Sequence, residues 1–403
     1  MIRSRRCISL GFIIVLLFCG ASAAILLGWI FRAASYDYMQ HDSDAAYFFE
    51  KASSGHLDFK LDSSVLTQEN TLPIVLWSSI YRLISQLGGH PDPFWGVLLN
   101  AFMVVGSQVL TVLFAHRIFG FTSKRLVGLA LLLTLNGVLM MFAGIHMRDA
   151  FLLMTTTISI ILFRPQAEPT LGVALIHFVA LIVLMCIAFL CRREGFVVPM
   201  VVYLVALGMR IMERDRILLK ALAAVAVIGG AVVAVASGLL DLAIDNYTAY
   251  QLLSQEESSD SSLAYYFLYK LPFPLSTISS AVLLLFIKLP FWRGMLFDSY
   301  NFFMSIAALQ MLFIAPAIIA IFFRSFFHKV GSDVRYLVLV LLSLLLMVAI
   351  TSNQVRHFAI GYPFLILLYH YRQQIIGTRG PYVWAQRVIL CMAVLASIGV
   401  EFR

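Results

Sequence analysis

Long apolar runs recur along almost the whole chain, from Ile8 to Val400, and no polar stretch between them is large enough to form a separate folded unit. A helix needs about 20 mostly apolar residues to cross the hydrocarbon core of a bilayer. Only 12% of the 403 residues are charged, whereas soluble proteins average about 25%. The pattern predicts an all-α, polytopic integral membrane protein and excludes a soluble enzyme, a secreted disulfide scaffold and a coiled coil.

Eleven of the apolar runs are predicted to be membrane spans. They cover residues 8–31, 93–118, 126–145, 146–163, 170–191, 195–212, 217–240, 299–323, 336–352, 357–371 and 384–400. Two further apolar segments, 72–88 and 272–290, are bracketed by prolines, and both are predicted to be interfacial or re-entrant helices at the level of the headgroups. Segment 72–88 also carries Arg82 in its middle. Together these elements predict one transmembrane domain over residues 1–403.

The distribution of charge indicates how the chain is oriented. If the basic N-terminus is cytoplasmic, 17 basic and four acidic residues lie inside, and the remaining 12 basic and 17 acidic residues lie outside. An excess of lysine and arginine on the cytoplasmic side is the rule for membrane proteins. Residues 8–31 are predicted to be an uncleaved signal anchor, because the apolar run continues beyond the signal-peptide-like Ala21-Ser22-Ala23 to Phe31. The formal net charge of +8 is accounted for by this topology, and nucleic acid is excluded as a partner.

This topology places two long polar segments on the outer side of the membrane. A first outer loop covers residues 32–92 and a second covers 241–298, and each contains one of the predicted interfacial helices. Function is therefore expected at the outer surface.

The first outer loop carries a short acidic stretch that contains His41, Asp42, Asp44 and Tyr47. Two carboxylates two residues apart can supply a general base or a pair of metal ligands. The alternative is an ordinary solvated acidic loop. The pattern leaves open which aspartate acts and whether a divalent metal takes part.

Two further clusters open or join predicted spans on the outer side. Arg148 and Asp149 open one span, where the alternative role for Asp149 is to complement the helix dipole and for Arg148 to reach the headgroups. Arg192, Arg193 and Glu194 interrupt an apolar stretch, where the alternative is a polar turn in a helical hairpin. Adjacent arginines on the side that disfavours positive charge indicate phosphate binding, because a guanidinium fork matches phosphate oxygens.

Arg356 and His357 open a later span beside the amides of a helix N-terminus, which is a typical anion site. The alternative is that Arg356 extends to the headgroups. Taken together, these carboxylates and arginines come from distant segments of the sequence and are predicted to lie on one outer surface at the membrane boundary. This combination suits a lipid-linked phosphate substrate, with arginines holding the phosphate or diphosphate while a carboxylate deprotonates an attacking hydroxyl.

The order of short motifs in the first outer loop resembles that of the GT-C superfamily of polyprenyl-phosphate-sugar glycosyltransferases. The motif residues in this loop are Asp44, Tyr47, Ala52, Gly55, Pro73, Leu76, Trp77 and Gly88. Later landmarks similar to GT-C-like bacterial polysaccharide proteins are Arg148-Asp149, Arg192-Arg193, Pro272-Phe273-Pro274 and the segment from Arg356 to Pro363. The first-loop acidic pair departs from the family pattern, because Ser43 separates the two aspartates.

The resemblance implies a glycosyltransferase or polysaccharide polymerase of the bacterial inner membrane, with a polyprenyl-linked sugar as donor and envelope-assembly proteins as further partners. It implies that Asp44, or else Asp42, is the catalytic base. Four arginines are candidates for holding the donor phosphate: Arg148, Arg192, Arg193 and Arg356. The supporting residues are Asp149, His41, His357, Tyr47 and Glu194. Two alternatives stay open: a lipid-linked oligosaccharide flippase, which needs no base, and a non-catalytic scaffold.

Overall fold

The computed structural model describes residues 10–34, 43–54, 71–165, 171–212, 275–286, 299–327, 330–351 and 355–376, with short pieces between 383 and 395. All of the regular structure in these ranges is helical. The first half of the chain forms α1 Leu10–Ala34, α2 Ser43–Ser54, α3 Thr71–Gln86, α4 Pro93–Phe119, α5 Ser123–Thr134, α6 Gly137–Gly144, α7 Asp149–Leu162, α8 Leu171–Cys191 and a 3-10 turn Arg193–Phe196. The second half forms α9 Val197–Met212, α10 Leu275–Phe286, α11 Ser299–Phe327, α12 Ser332–Thr351, α13 Val355–Phe358, a 3-10 turn Ala359–Gly361 and α14 Tyr362–Ile376.

Six of the described helices are long and apolar enough to cross a membrane. They lie at Leu10–Ile30, Pro93–Phe119, Gly172–Cys191, Arg193–Ile211, Tyr300–Ser325 and Ser332–Ala349. Six of the predicted spans are thereby confirmed as long apolar helices, and the chain is a multi-pass membrane protein. The total of eleven spans stays a prediction, since residues 217–240 and most of 384–400 lie outside the described residues.

The helices at the edge of the bundle expose apolar side chains in a way that suits lipid. On α1, Phe12 and Trp29 are more than half exposed, and on α8 the same holds for Ile176 and Phe178. Water would disfavour such faces, whereas hydrocarbon tails are as apolar as these side chains.

The predicted span 126–145 is not one straight helix. The chain bends by 61° between α5 and α6, at Leu135 and Asn136. The predicted span 146–163 is likewise shorter than expected, because α7 has 14 residues. At 357–371 the helix is interrupted by the 3-10 turn, and the long helix begins only at Tyr362.

The break between α5 and α6 is stabilised by three polar side chains in the middle of the bundle. The side-chain oxygen of Asn136 accepts a hydrogen bond from the backbone N–H of Leu139 at 3.1 Å, and its amide nitrogen donates to Gln310. Gln310 donates to the carbonyl of Leu132 at 2.9 Å, while Gln108 donates to that of Leu133 at 3.2 Å. The bonds donated by Gln310 and Gln108 go to backbone carbonyl groups that would accept from backbone N–H groups in a continuous helix.

The first helix packs tightly against the broken segment through three small residues spaced four apart, Gly20, Ala24 and Gly28. A Cβ atom added at Gly28 would lie 2.7 Å from the carbonyl oxygen of Gly144, and one added at Gly20 would overlap the side chain of Thr134. Close backbone approach through small residues at this spacing is typical of helix pairs in membranes. It holds α6, every residue of which is buried, against α1.

The two predicted interfacial segments are both helical over their central residues. α3 packs against α2, α4 and α8, while α10 packs against α11 and α12. Their depth relative to the headgroups stays a prediction, as does the division of the chain into one domain with two outer loops.

Replacing Gly28 with alanine is expected to destabilise the protein by about 1–3 kcal/mol, since overpacking of a tight contact displaces its neighbours. The measurement is thermal unfolding of the purified full-length chain in detergent. Gly208→Ala is the matched control, because nothing lies within 4 Å of a Cβ atom added there. Equal unfolding temperatures for the two variants would contradict the close packing of α1 on α6.

Candidate functional site

The segment His146-Met147-Arg148, which joins α6 to α7, is held in place by hydrogen bonds from the buried side chain of Asn100. The Asn100 amide nitrogen donates hydrogen bonds to the carbonyls of Ile145 at 3.0 Å and Met147 at 2.8 Å. Its oxygen accepts a hydrogen bond from the Trp77 indole N–H at 3.3 Å. Asn100 is fully buried, so these bonds fix the backbone that leads directly into Arg148.

His146 lies in an aromatic cluster under the first-loop helices. The centroids of the His146 and Trp77 rings are 4.0 Å apart, and the Tyr81 hydroxyl is 2.8 Å from Nε2 of His146. A side chain at Gly96 would collide with the imidazole, so the absence of a Cβ there makes room for it. Burial lowers the pKa of His146 to about 3, and the ring is therefore neutral at physiological pH.

Helix α2 contacts the start of α7 through an aromatic ring. The guanidinium carbon of Arg148 lies 5.4 Å from the centroid of the Phe48 ring, within the range of a cation–π interaction. Asp44 is the second residue of α2, one helical turn before Phe48. The first outer loop is thus joined to the segment that carries Arg148.

A short turn between α8 and α9 presents Arg192. The backbone N–H of Gly195 donates to the carbonyl of Arg192 at 2.7 Å, and a Cβ atom at Gly195 would lie 2.5 Å from the carbonyl oxygen of Ala188. Only glycine fits this close approach. The turn orients the Arg192 side chain, whose Nε donates to the Glu194 carboxylate at 3.0 Å.

Arg192 also reaches across the bundle to a segment 165 residues away. Its NH1 group lies within hydrogen-bond distance of Nε2 of His357, which belongs to the four-residue helix α13. A guanidinium can only donate, so Nε2 is the acceptor and the proton of the neutral ring is on Nδ1. The contact joins the α8–α9 turn to the segment before α14.

Three arginines from three distant segments act on the same imidazole. Burial, together with the positive charges of Arg192, Arg356 and Arg148, holds the pKa of His357 well below its ordinary value. The Glu194 carboxylate interacts electrostatically with both Arg192 and Arg148. These five side chains therefore form one charged cluster, which we call the arginine cluster. Asp149, which is buried, follows Arg148 in the first turn of α7.

The predicted site residues are thus brought together in part. The arginine cluster brings together five of the predicted site residues, Arg148, Arg192, Arg356, Glu194 and His357. Their role in binding a phosphate stays a prediction. Arg193 lies in the adjoining 3-10 turn and is exposed.

In the first outer loop, Tyr47 is 48% exposed, and its ring lies 5.4 Å from that of Phe48. Asp42 and His41 lie outside the described residues. The role of Asp44 or Asp42 as a base stays a prediction.

Asn100 and Tyr81, which support the segment leading into Arg148, are not predicted from the sequence. A signal for Asn100 was present, because a polar amide in an apolar span is a functional or structural marker by default. Tyr81 carries no such signal, since its contact with His146 depends on how α3 packs in three dimensions. In the described part of the chain, no three His, Cys, Asp or Glu side chains come together as a metal site requires.

The fold and the arginine cluster define a multi-pass membrane protein, helical in its described ranges, with a partly buried charged site at one end of its bundle. Comparisons with protein-family models, with curated proteins and with solved structures find no match to this chain. The resemblance to the GT-C superfamily therefore stays a prediction based on short motifs.

Replacing Tyr81 with phenylalanine is expected to destabilise the protein by about 1–3 kcal/mol, because it leaves Nε2 of the buried His146 without its partner. Thermal unfolding in detergent measures the effect. Tyr47→Phe removes the same hydroxyl from an exposed ring and is expected to leave the unfolding temperature unchanged. A Tyr81→Phe variant as stable as Tyr47→Phe would show that the Tyr81–His146 bond does not hold α3 in place.

Proposed function

We propose that this chain is an integral-membrane glycosyltransferase or polysaccharide polymerase that uses a polyprenyl-(di)phosphate-linked sugar as donor. In this proposal it acts at the outer face of the bacterial inner membrane, with its N-terminus in the cytoplasm. The observation that carries the proposal is the arginine cluster: three guanidinium groups from separate parts of the chain interact with one partly buried imidazole, and that of Arg192 lies within hydrogen-bond distance of it.

The charge of the arginine cluster suits a phosphate or diphosphate. Arg148, Arg192 and Arg356 bring three positive charges, which Glu194 and the neighbouring Asp149 offset only in part. Arginine at a partly buried site binds phosphate oxygens through directed, charge-assisted hydrogen bonds. Since Glu194 and His357 already orient Arg192, the guanidinium needs little rearrangement when an anion binds, which favours stabilisation of a leaving group.

The first outer loop supplies the base in this mechanism. Asp44, or else Asp42, takes the proton from an acceptor hydroxyl, and the oxygen attacks the anomeric carbon of the donor sugar. The bond from that carbon to the phosphate oxygen breaks, and its electrons leave with the lipid phosphate. The arginine cluster stabilises the negative charge on this leaving group. Direct displacement inverts the anomeric centre.

The contact between Phe48 and Arg148 supports the proposal that the first outer loop supplies the base and the arginine cluster binds the phosphate. It joins the helix that carries Asp44 to an arginine of the cluster, so that base and phosphate site belong to neighbouring elements.

The polar residues in the middle of the bundle favour chemistry at one face over transport. A flippase would need polar groups free to line a path for its substrate. Asn136, Gln108 and Gln310 instead bond to one another or to the backbone at the break between α5 and α6.

The test is complementation of a deletion strain. Asp44→Asn, Asp42→Asn, Arg192→Gln and Arg356→Gln are expressed separately, with immunoblots of the membrane fraction as the control for folding. We expect Arg192→Gln, Arg356→Gln and one of the two aspartate variants to abolish the surface glycan, with the lipid-linked precursor accumulating at the outer face. Arg82→Gln changes an exposed arginine of α3 and is expected to complement fully.

Other outcomes reject the proposal. Accumulation of the precursor at the inner face would identify a flippase. Normal glycan from all of the aspartate and arginine variants would indicate a non-catalytic scaffold.

A second experiment isolates the role of Glu194 as a positioning residue. Glu194→Gln removes the charge that holds Arg192 and is expected to weaken binding of the donor about tenfold, the effect of roughly 1.4 kcal/mol. Binding of a polyprenyl-phosphate analogue to the purified chain measures this loss, and Glu50→Gln on the exposed side of α2 is the control. Unchanged affinity in Glu194→Gln would contradict the positioning role.

A further inference from the structure

Three helix ends meet at the end of the bundle opposite the arginine cluster. The C-terminal end of α4, the N-terminal end of α5 and the C-terminal end of α14 lie together: the Phe119 ring contacts that of Tyr371, and the Phe121 ring contacts that of His370, whose imidazole also lies against Gly128. Because α4 has 27 residues and rises about 1.5 Å per residue, these ends lie about 40 Å from the start of α4. They are therefore remote from the proposed donor site.

These helix ends are basic and carry no acidic residue. Residues 112–126 and 365–376 contain no aspartate or glutamate. Their basic residues are His116, Arg117, Lys124, Arg125, His370 and Arg372. We call this set the basic rim. Four of its members, from His116 to Arg125, are exposed, so their charges are accessible to a ligand.

The contacts within the basic rim place two guanidinium groups beside one imidazole. His370 interacts electrostatically with both Arg372 and Arg125. Lys124 and Arg125 also lie in the first turn of α5, where the helix dipole disfavours cations. The arrangement costs free energy in the isolated chain, and a bound anion would offset this cost.

Aromatic rings are interleaved with the charges. The Arg372 guanidinium carbon lies 4.0 Å from the centroid of the Tyr369 ring, and that of Arg125 lies 6.0 Å from the centroid of Phe121. The rings of Phe121 and Tyr371 are 5.8 Å apart. Aromatic side chains at the ends of membrane helices are typical of the headgroup region.

Another arginine at this end of the bundle is balanced within the chain. Arg164 forms a two-pronged ion pair with Asp333, with its NH2 group 3.1 Å from Oδ2. The neighbouring Arg335 lies on the same turn of α12 as Asp333. Arg164 therefore has a carboxylate to pair with, whereas the two sequence segments that form the basic rim contain none.

We propose that the basic rim binds the phosphate of an anionic phospholipid headgroup at this face of the membrane. The exposed arginines and Lys124 supply the charge, and the aromatic rings place the site at the depth of the headgroups. A cytoplasmic leaflet rich in anionic lipid attracts such clusters. The proposal is independent of the glycosyltransferase assignment.

The test uses the purified full-length chain in a neutral detergent, titrated with phosphatidylglycerol or phosphatidylcholine and monitored by native mass spectrometry. We expect saturable binding of phosphatidylglycerol and none of phosphatidylcholine. Arg125→Gln and Arg372→Gln are each expected to weaken binding about fivefold, as one charge near a membrane surface does. Arg335→Gln, the matched control, is expected to bind as the unmodified chain does.

Arg125→Lys keeps the charge and is expected to retain most of the binding, which separates loss of charge from misfolding. A further arm adds inorganic phosphate and measures thermal unfolding. Stabilisation by inorganic phosphate equal to that by phosphatidylglycerol would identify a free-phosphate site and overturn the proposal. Equal binding of the two lipids, or equal loss in Arg125→Gln and Arg335→Gln, would overturn it as well.

Discussion

Hydrocarbon offers the peptide backbone no hydrogen-bond partner, and this constraint shapes the whole protein. It explains why all regular structure in the described ranges is helical, and why the bend between α5 and α6 needs support. Gln108 and Gln310 donate to the carbonyls of Leu133 and Leu132 beside the bend, while the Asn136 side chain caps the start of α6. Three helices thus contribute to one break in the chain.

The break determines where the site is built. Helix α6 leaves it at 61° to α5 and stays fully buried until the chain reaches His146. From there Asn100 holds the backbone on both sides of His146, so that Arg148 emerges at a fixed position facing Phe48. A straight helix through the same residues would direct this segment elsewhere. The bend in the middle of the bundle and the arginine at its end are therefore parts of one arrangement.

The sequence predicts the long helices and most of the arginine cluster, because both depend on local chemistry. Apolar length identifies α4 and α11, and polar interruptions at predicted span ends identify Arg148 and Arg192. The bend is missed because it depends on Gln108 and Gln310, which approach from other helices. Its local signal is the pair Asn136-Gly137, a common helix breaker inside an otherwise apolar run. Contacts that arise only on packing leave no such signal.

The arginines at the two ends of the bundle differ in burial more than in the number of charges, and this difference separates the proposed donor site from the basic rim. Arg192 is mostly buried and is held by Glu194 and His357; its orientation is therefore set before a ligand arrives. Water screens Arg125, which is exposed, and an exposed charge contributes little as an isolated group. Catalysis needs an oriented and largely desolvated cation such as Arg192. Attraction to a charged membrane surface needs several exposed cations such as Arg125, and these need no fixed orientation.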